Sequence, residues 1–215
     1  MTAFDPACRR CPRLEQFLAE GRVRHPSYHC APVVPFGDVQ PRLLIVGLAP
    51  GFHGANASGR PFTGDYAGVL LYETLHAFGW ASAPLSSRRD DGLVLTGARI
   101  TNAVKCVPPG NKPTPAEVAT CNDFLGAELA GLRDDAVVLA LGAIAHGAVL
   151  RAVGLRLAAY RFAHGAEHVL PSGRHLFDSY HCSRYNTNTR RLTTAMFREV
   201  FGRATTRALS RRETD

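Results

Sequence analysis

The chain contains 215 residues and carries a formal net charge of +7, with 20% charged residues. This length fits one domain with a substantial core, which we place at residues 1–203, followed by a flexible basic tail at residues 204–215. The first fourteen residues contain no apolar segment, which excludes a recognisable signal peptide and predicts a cytoplasmic protein.

Apolar runs rich in leucine and β-branched residues predict buried strands at residues 42–46, 99–104, 136–141 and 175–180, with a possible short strand at 167–170. Helical patterns lie between them, at residues 64–78, 115–132, 143–153 and 190–204. Thr114, Pro115 and Glu117 mark the start of the second helix with a capping box. This alternation predicts an α/β fold, a three-layer α/β/α sandwich around a central, mainly parallel four-stranded sheet.

Residues 136–155 are nearly all apolar and about long enough to cross a bilayer. Gly142, His146 and Arg151 interrupt them. We therefore interpret this segment as a buried strand, a glycine break and a helix, and we expect no membrane partner.

Four of the six cysteines form a pattern that is typical of a metal site. Cys8 and Cys11 form a Cys-x-x-Cys pair, and Cys106 and Cys121 follow much later with fourteen residues between them. These four thiolates could bind one metal centre, and the spacing allows either zinc or an iron–sulfur cluster. The competing interpretation is a chance Cys-x-x-Cys pair with two core cysteines. Cys30 is expected to be a buried thiol.

A glycine-rich turn follows the first predicted strand, with the sequence Gly47-Leu48-Ala49-Pro50-Gly51. Backbone N–H groups in such a turn can bind an anion or the edge of a base. Phe62 and Asp65 come next, before and at the start of the following helix. Each has an ordinary structural explanation when taken alone. Together they predict a base pocket, with amides, an aromatic ring for stacking and a carboxylate.

Two further candidates lie where later strands end. Asn102 has an amide donor and acceptor that could read the edge of a pyrimidine, or could simply cap its loop. His181 follows the last strand and can donate a hydrogen bond to charge that develops on a leaving group. The polar, basic and aromatic residues after it suit a loop that enters a DNA groove. They are Ser183, Arg184, Tyr185 and Asn186.

Positive charge is concentrated near the C-terminus. Between Cys182 and Arg212 the sequence contains eight arginines and one acid, Glu199. Such a segment suits a phosphate backbone. For residues 203–215 alone, a solvated helix face with a disordered tail explains the arginines better.

These motifs, in this order, resemble those of the uracil-DNA glycosylase superfamily, and specifically its family 5. The resemblance covers the chain to about Phe201 and rests on the cysteines and on residues 47–51, 59–65, 101–106 and 181–186. Leu48 stands where the related family 4 has an acidic residue, which favours family 5. Cys182 stands where the last motif usually has proline.

The resemblance implies a [4Fe-4S] cluster on the four cysteines and a monofunctional glycosylase acting on duplex DNA with damaged bases, such as uracil and hypoxanthine. We expect a monomer that flips the base out of the duplex. Phe62 would stack on the base, Asn102 and the 47–51 amides would hold its edge, and His181 would stabilise the leaving anion. Asp65 would stabilise the sugar cation or orient water. The loop from Arg184 to Asn186 would fill the gap in the duplex.

Two other functions compete with this interpretation. The first is a non-catalytic iron–sulfur protein that binds nucleic acid with the same fold. The second is an electron-transfer protein, against which the single cluster and its widely spaced ligands argue. The sequence does not rank the damaged bases by preference.

Overall fold

The structure, a computed structural model, describes residues 4–210. One sheet contains six strands, named β1 (Phe36–Gly37), β2 (Leu43–Gly47), β3 (Ala98–Asn102), β4 (Val137–Leu141), β5 (Glu167–Val169) and β6 (His175–Ser179). Their order across the sheet is β1-β3-β2-β4-β6-β5. The four inner strands are parallel neighbours, while β1 and β5 pair antiparallel at the two edges.

The four inner strands confirm the predicted parallel sheet, with ends that shift by one or two residues. The complete sheet has six strands, and its two edge strands are antiparallel to their neighbours. The strand expected at residues 167–170 is present as β5, whereas β1 was not predicted. With only two residues, β1 is too short to show the alternation by which strands are recognised.

Helices precede, connect and follow the strands, and they are α1 (Pro12–Arg24), α2 (Ala55–Ser58), α3 (Tyr66–Ala77), α4 (Pro115–Ala130), α5 (Ala143–Ala152), α6 (Arg184–Asn188) and α7 (Thr194–Leu209). The predicted capping box at α4 is confirmed, because the Thr114 hydroxyl accepts from the Glu117 amide at 3.2 Å and the Glu117 carboxylate accepts from the Thr114 amide at 2.7 Å. α1 was missed, although Pro12 at its first turn is a recognised start signal.

The sheet separates two hydrophobic cores, as a three-layer sandwich requires. Leu43 and Ile45 of β2 face one core, together with residues of α3 and α7. Leu44 and Val46 of the same strand face the other core, together with residues of α4 and α5. Apolar residues at every position of β2 are therefore buried on both faces of the sheet.

The last helix corrects the predicted C-terminal boundary. α7 begins at Thr194 rather than at Arg190, and Thr193 caps it by accepting from the Met196 amide at 3.2 Å. The helix continues to Leu209 because Ala204 and Ala208 are buried in the core. Residues 204–209 thus belong to the packed domain, and residues 211–215 lie outside the described residues.

The apolar segment 136–155 forms β4, a turn at Gly142 and α5, as expected. Gly142 has a φ of +101°, which glycine adopts readily. Within residues 4–210, no helix combines the length and the apolar character needed to span a membrane.

Candidate active site

A cleft of about 470 Å³ opens where the parallel strands end, which is where binding sites of open α/β sheets lie. Its volume is in the usual range for a small-molecule site. The loop after β2, the start of α3 and the segment after β6 line it. The predicted residues among its lining are Leu48, Ala49, Gly51, Phe62, Asp65, His181, Ser183, Arg184 and Tyr185.

Gly47 lies behind the cleft, pressed between two of the predicted base contacts. A Cβ atom on Gly47 would lie 2.4 Å from Oδ1 of Asn102 and 2.7 Å from the ring of Phe62. Gly47 and Asn102 are paired in register on β2 and β3. A glycine is therefore needed at this position for the ring and the amide to approach each other over the strand end.

The side-chain oxygen of Asn102 has no hydrogen-bond partner within the described residues, although it is buried. A buried acceptor without a donor costs about 1–3 kcal/mol, so such a group is expected where a ligand supplies the donor. Asn102 itself is only 3% exposed. The amide is thus buried close to Phe62, with its acceptor unused.

Asp65 stands at the N-cap position of α3 but does not cap that helix with its side chain. Its carboxylate instead accepts from the Ala55 amide at 3.1 Å and from the Gly51 amide. Burial raises the pKa of Asp65 above its ordinary value of 3.8, although the two amides oppose this effect. Asp65 is the only carboxylate among the described residues that line the cleft.

The His181 ring faces the cleft and lies nearly parallel to the ring of Phe62, with 5.9 Å between their centroids. Neither ring nitrogen of His181 has a hydrogen-bond partner within residues 4–210. Its main-chain carbonyl, by contrast, accepts from the side chain of Asn186. Burial lowers the pKa of His181 to about 4. The imidazole is therefore neutral at physiological pH, with one N–H free to donate.

The segment after His181 forms a short helix, α6, rather than an open loop. Ser183 caps it, and Asn186 donates from its side chain to the carbonyl of His181 at 2.8 Å. Asn186 thus holds the histidine segment and does not line the cleft. Arg184 lies over the ring of Tyr66 at 5.0 Å, and Tyr185 is 70% exposed at the rim.

Three residues that line the cleft were not predicted, namely Tyr66, Ala67 and Asn111. Asn111 has a φ of +57° and ends the turn that follows Pro108. The run Pro108-Pro109-Gly110-Asn111 was a visible turn signal close to Cys106. Pro50, which was expected among the base contacts, is buried and does not line the cleft.

Cys182 is fully buried, and its thiol donates to the Ala67 carbonyl at 3.3 Å. Burial raises the pKa of Cys182 to about 12, so it is a neutral thiol. The side chain ties the histidine segment to α3, which carries part of the cleft. The position normally taken by proline is thus filled by a core residue.

Cys8, Cys11, Cys106 and Cys121 line one enclosed and mainly apolar cavity. The cavity lies between the start of α1, the segment after β3, and α4. Burial, and then the charges of the other three cysteines, raise the pKa of Cys106 above its ordinary value of 9.0. The structure therefore brings together the four cysteines that the sequence pattern selected.

The spacing of the four sulfur atoms is wide. Within the described residues, no three of these Sγ atoms lie within 4.8 Å of one another. Cys30 lies elsewhere, fully buried, and its sulfur accepts from the side chain of Asn56 at 3.4 Å. This separates Cys30 from the group of four, as expected.

The family model of the uracil-DNA glycosylase superfamily matches residues 34–204. A type-5 uracil-DNA glycosylase of Thermus thermophilus is 50% identical over 199 residues, which cover 90% of each chain. A type-5 enzyme of Pyrobaculum aerophilum is 44% identical over 92% of this chain and 87% of its own length. A type-4 uracil-DNA glycosylase of Thermotoga maritima is 41% identical, but over only 53% of this chain and 51% of its own. The chain therefore belongs to the uracil-DNA glycosylase superfamily, and within it to the type-5 family.

Proposed function

We propose that this chain removes uracil and other deaminated bases, including hypoxanthine, from duplex DNA by hydrolysing the N-glycosidic bond. Membership of the family makes it a DNA glycosylase. The observation that carries the proposal is the composition of the cleft. An aromatic ring, an unpaired amide oxygen, a buried carboxylate and an imidazole without partner meet in it or directly behind it.

The damaged nucleotide enters the cleft after rotating out of the base stack, which costs about a few kcal/mol and less for a mispaired base. Phe62 stacks on the face of the base. The unused acceptor of Asn102 suits an imide or lactam N–H, a group that uracil and hypoxanthine share. The amides of Leu48 and Ala49 hold the remaining edge, since Pro50 has no N–H and the Gly51 amide donates to Asp65. The side chains of Leu48 and Ala49 shield that edge from water.

Bond cleavage leaves an oxocarbenium-like sugar and a base that carries negative charge. His181 donates its N–H to that charge, as a fixed donor in a site of low polarity. Asp65 is the carboxylate available to stabilise the sugar cation or to orient water. Because uracil is a tolerable leaving group when its charge is stabilised, the apolar Leu48 does not prevent the reaction.

Arg184 and Tyr185 support the flipped state from the rim of the cleft. Tyr185 is exposed and aromatic, so it can occupy the space that the base leaves. Arg184, which lies over the ring of Tyr66, supplies a positive charge for the DNA phosphates. Because flipping costs more from U·A than from U·G, Tyr185→Ala should slow excision from U·A more than from U·G. Equal slowing of both pairs would contradict this role.

The four cysteines fit a [4Fe-4S] cluster better than they fit one zinc ion. Zinc–sulfur bonds of 2.3 Å in a tetrahedron place the sulfur atoms about 3.8 Å apart, whereas here no three sulfurs lie within 4.8 Å. In a cluster each thiolate binds a different iron, and its sulfurs lie further apart. Such a cluster would link α1 and α4 to the segment that leads to Asn111, and we assign it a structural role.

The decisive experiment for the activity uses duplexes that contain uracil, hypoxanthine or xanthine, followed by alkaline cleavage of abasic sites. We expect cleavage at uracil in duplex DNA and at hypoxanthine, and none at undamaged bases. Binding without any cleavage would instead identify a non-catalytic DNA-binding protein.

A separate experiment tests the cluster by measuring iron, sulfide and zinc in protein purified without oxygen. We expect about four irons per chain and broad absorbance near 400 nm, lost in Cys106→Ser. Cys30→Ser is the matched control, since Cys30 is buried away from the cavity. One zinc per chain and no iron would overturn the cluster.

A further inference from the structure

Phe62 has a backbone conformation that its residue type does not favour. Its φ is +59°, in the left-handed region. Such a conformation persists only where the surrounding structure enforces it. The Tyr72 hydroxyl donates to the Pro61 carbonyl at 2.7 Å, and the Phe62 carbonyl lies directly over Gly68, where a Cβ would approach it to 1.9 Å.

Arg60, two residues earlier, is buried and anchors the same turn. It donates to the Asp91 carboxylate at 2.7 Å, to the Ser86 hydroxyl at 3.0 Å, and to a main-chain carbonyl, that of Arg89. Its guanidinium also lies over the ring of Phe36 at 4.3 Å. Arg60 is 5% exposed. An arginine is rarely buried to this extent unless its N–H groups are hydrogen-bonded.

Asp91 is prepared to receive this arginine. Its carboxylate also accepts from the amides of Ser87, Arg88 and Leu93, at 2.9 to 3.2 Å. Burial alone would raise the pKa of Asp91, but Arg60 and these amides hold it well below its ordinary range. Segment 86–93 therefore offers Arg60 a carboxylate that three main-chain amides hold in place outside the cleft, and Asp91 stays ionised there.

A second contact joins the same two segments. The hydroxyls of Thr63 and Ser86 are hydrogen-bonded at 2.7 Å, and both side chains are buried. The turn that carries Phe62 is thus attached to segment 86–93 on both sides of the ring, through Arg60 before it and Thr63 after it.

We infer that Arg60 is a positioning residue, whose buried ion pair with Asp91 holds the Phe62 ring in the orientation that stacks on the flipped base. Arg60 does not line the cleft, so it acts through Phe62. This inference rests on the proposed function for its effect on catalysis. Its structural half concerns the turn alone and can be tested without activity.

The matched control is Arg174, a second arginine that is largely buried, with a side chain 13% exposed. It donates to the carbonyls of Leu129, Leu132 and Arg133, at 2.7 to 3.1 Å. Arg174 precedes β6, at the end of the sheet away from the cleft. Its removal should lower stability without disturbing Phe62.

The kinetic test compares Arg60→Met with Arg174→Met in single-turnover excision of uracil, well below both melting temperatures. We expect Arg60→Met to be slower than the parent by a factor of about 10 to 100, since small misplacements of a binding group are costly. Arg174→Met should stay within about three-fold. Equal rates for the two variants would overturn the inference. Asp91→Asn, which keeps the side-chain size, replaces Arg60→Met if the latter does not fold.

A double-mutant cycle separates positioning from general destabilisation. If Arg60 acts through Phe62, adding Arg60→Met to the Phe62→Ala variant should reduce its excision rate by less than about three-fold, because the ring that Arg60 positions is already absent. Equal slowing in both backgrounds would show that Arg60 affects catalysis by another route.

Hydrogen exchange supplies the readout that does not need activity. In Arg60→Met the amides of residues 60–68 should exchange at least about ten-fold faster than in the parent. In Arg174→Met the exchange rates of the same amides should equal those of the parent. Unchanged protection would overturn the inference even if excision were slow. If exchange is faster in Arg60→Met but the parent protein excises no base, the proposed function is refuted and the role of Arg60 in the turn is retained.

Discussion

His181 is a neutral hydrogen-bond donor, and this determines what kind of catalysis it can perform. Burial lowers the pKa of His181 to about 4, so the protonated imidazolium form, which is the more acidic of the two forms, is scarce near neutral pH. A neutral imidazole can still stabilise charge that develops on the base, since it is held in place before the reaction. The catalytic role proposed for this residue therefore depends on its position and its N–H.

His181→Ala should reduce single-turnover excision on the order of 100-fold or more, because the donor acts mainly in the transition state. Affinity for damaged duplex, measured by fluorescence anisotropy, should change little. His76→Ala is the matched control, since His76 is exposed on α3 and does not line the cleft. A His181→Ala rate within about three-fold of the parent would remove His181 from the mechanism.

Asp65 should determine the acid side of the pH profile. Burial raises its pKa above 3.8, and the proposed roles need the carboxylate, so excision should fall as pH falls through this raised pKa. Rates should be level above that window, with no step near the ordinary histidine pKa of about 6.5. Single-turnover rates from about pH 4 to 9 measure this. A step near 6.5 that disappears in His181→Ala would contradict a neutral His181.

At the level of elements, α7 is attached to the rest of the domain by one buried polar contact as well as by its apolar face. The indole N–H of Trp80 donates to the Thr205 hydroxyl at 3.0 Å. Both residues are buried. Thr205 lies beyond the point where the sequence pattern ended this helix, so the contact shows why the last turns are ordered.

Thr205→Val should destabilise the protein by about 1–3 kcal/mol, because the buried indole N–H of Trp80 loses its acceptor while side-chain shape is kept. Thr206→Val is the matched control on the next, exposed position, with an expected change within about 0.5 kcal/mol. Urea unfolding measures both. Equal effects would mean that the hydrogen bond contributes nothing beyond helix propensity.

Across the whole molecule, a buried histidine network joins α5, β5 and β6, and none of its residues lines the cleft. His146 Nδ1 lies 2.8 Å from Asp178, and its Nε2 donates to the Tyr160 carbonyl at 2.8 Å. His168 contacts the other oxygen of Asp178 at 3.1 Å. Burial alone would lower the pKa of His146, but the hydrogen bond and charge of Asp178 outweigh it and raise the pKa.

The stability of the whole domain should therefore depend on the charge of His146. A raised folded pKa contributes stability that is complete below the unfolded pKa of about 6.5 and is lost as pH rises through the folded value. The free energy of unfolding should fall over that window, as measured by urea unfolding at several pH values. His146→Gln should flatten this dependence. A parent whose stability rises across the same window would contradict a charged His146.

Much of the fold was predictable because local patterns and long-range packing agree. The two central strands, β2 and β4, contain no polar side chain, which is typical of strands covered on both faces. The capping box at Thr114 identified the start of α4 from four residues. The boundary of α7 was not predictable in this way, since Ala204, Thr205 and Ala208 have no strong apolar signature until they meet the core.

Sequence order was also sufficient to select most of the cleft, because parallel strands bring their carboxyl ends to one edge of the sheet. The turn after β2 and His181 follow from that rule, whereas Asp65 was selected as the carboxylate at the start of the next helix. Tyr66 and Asn111 do not, since they enter the cleft from a helix start and a turn. Asn186 matches the sequence motif, but its side chain donates a hydrogen bond to the His181 carbonyl and does not line the cleft.

The sequence by itself determined the composition of the site, namely which residue types stand after which strands and which four cysteines belong together. Only the tertiary structure decided the state of each group, because pKa values, unused acceptors and ring contacts depend on neighbours that are distant along the chain. The unpaired oxygen of Asn102, the neutral ring of His181 and the support of Phe62 by Arg60 and Asp91 arise from such neighbours. Burial and hydrogen bonding, which a linear pattern does not contain, set these properties.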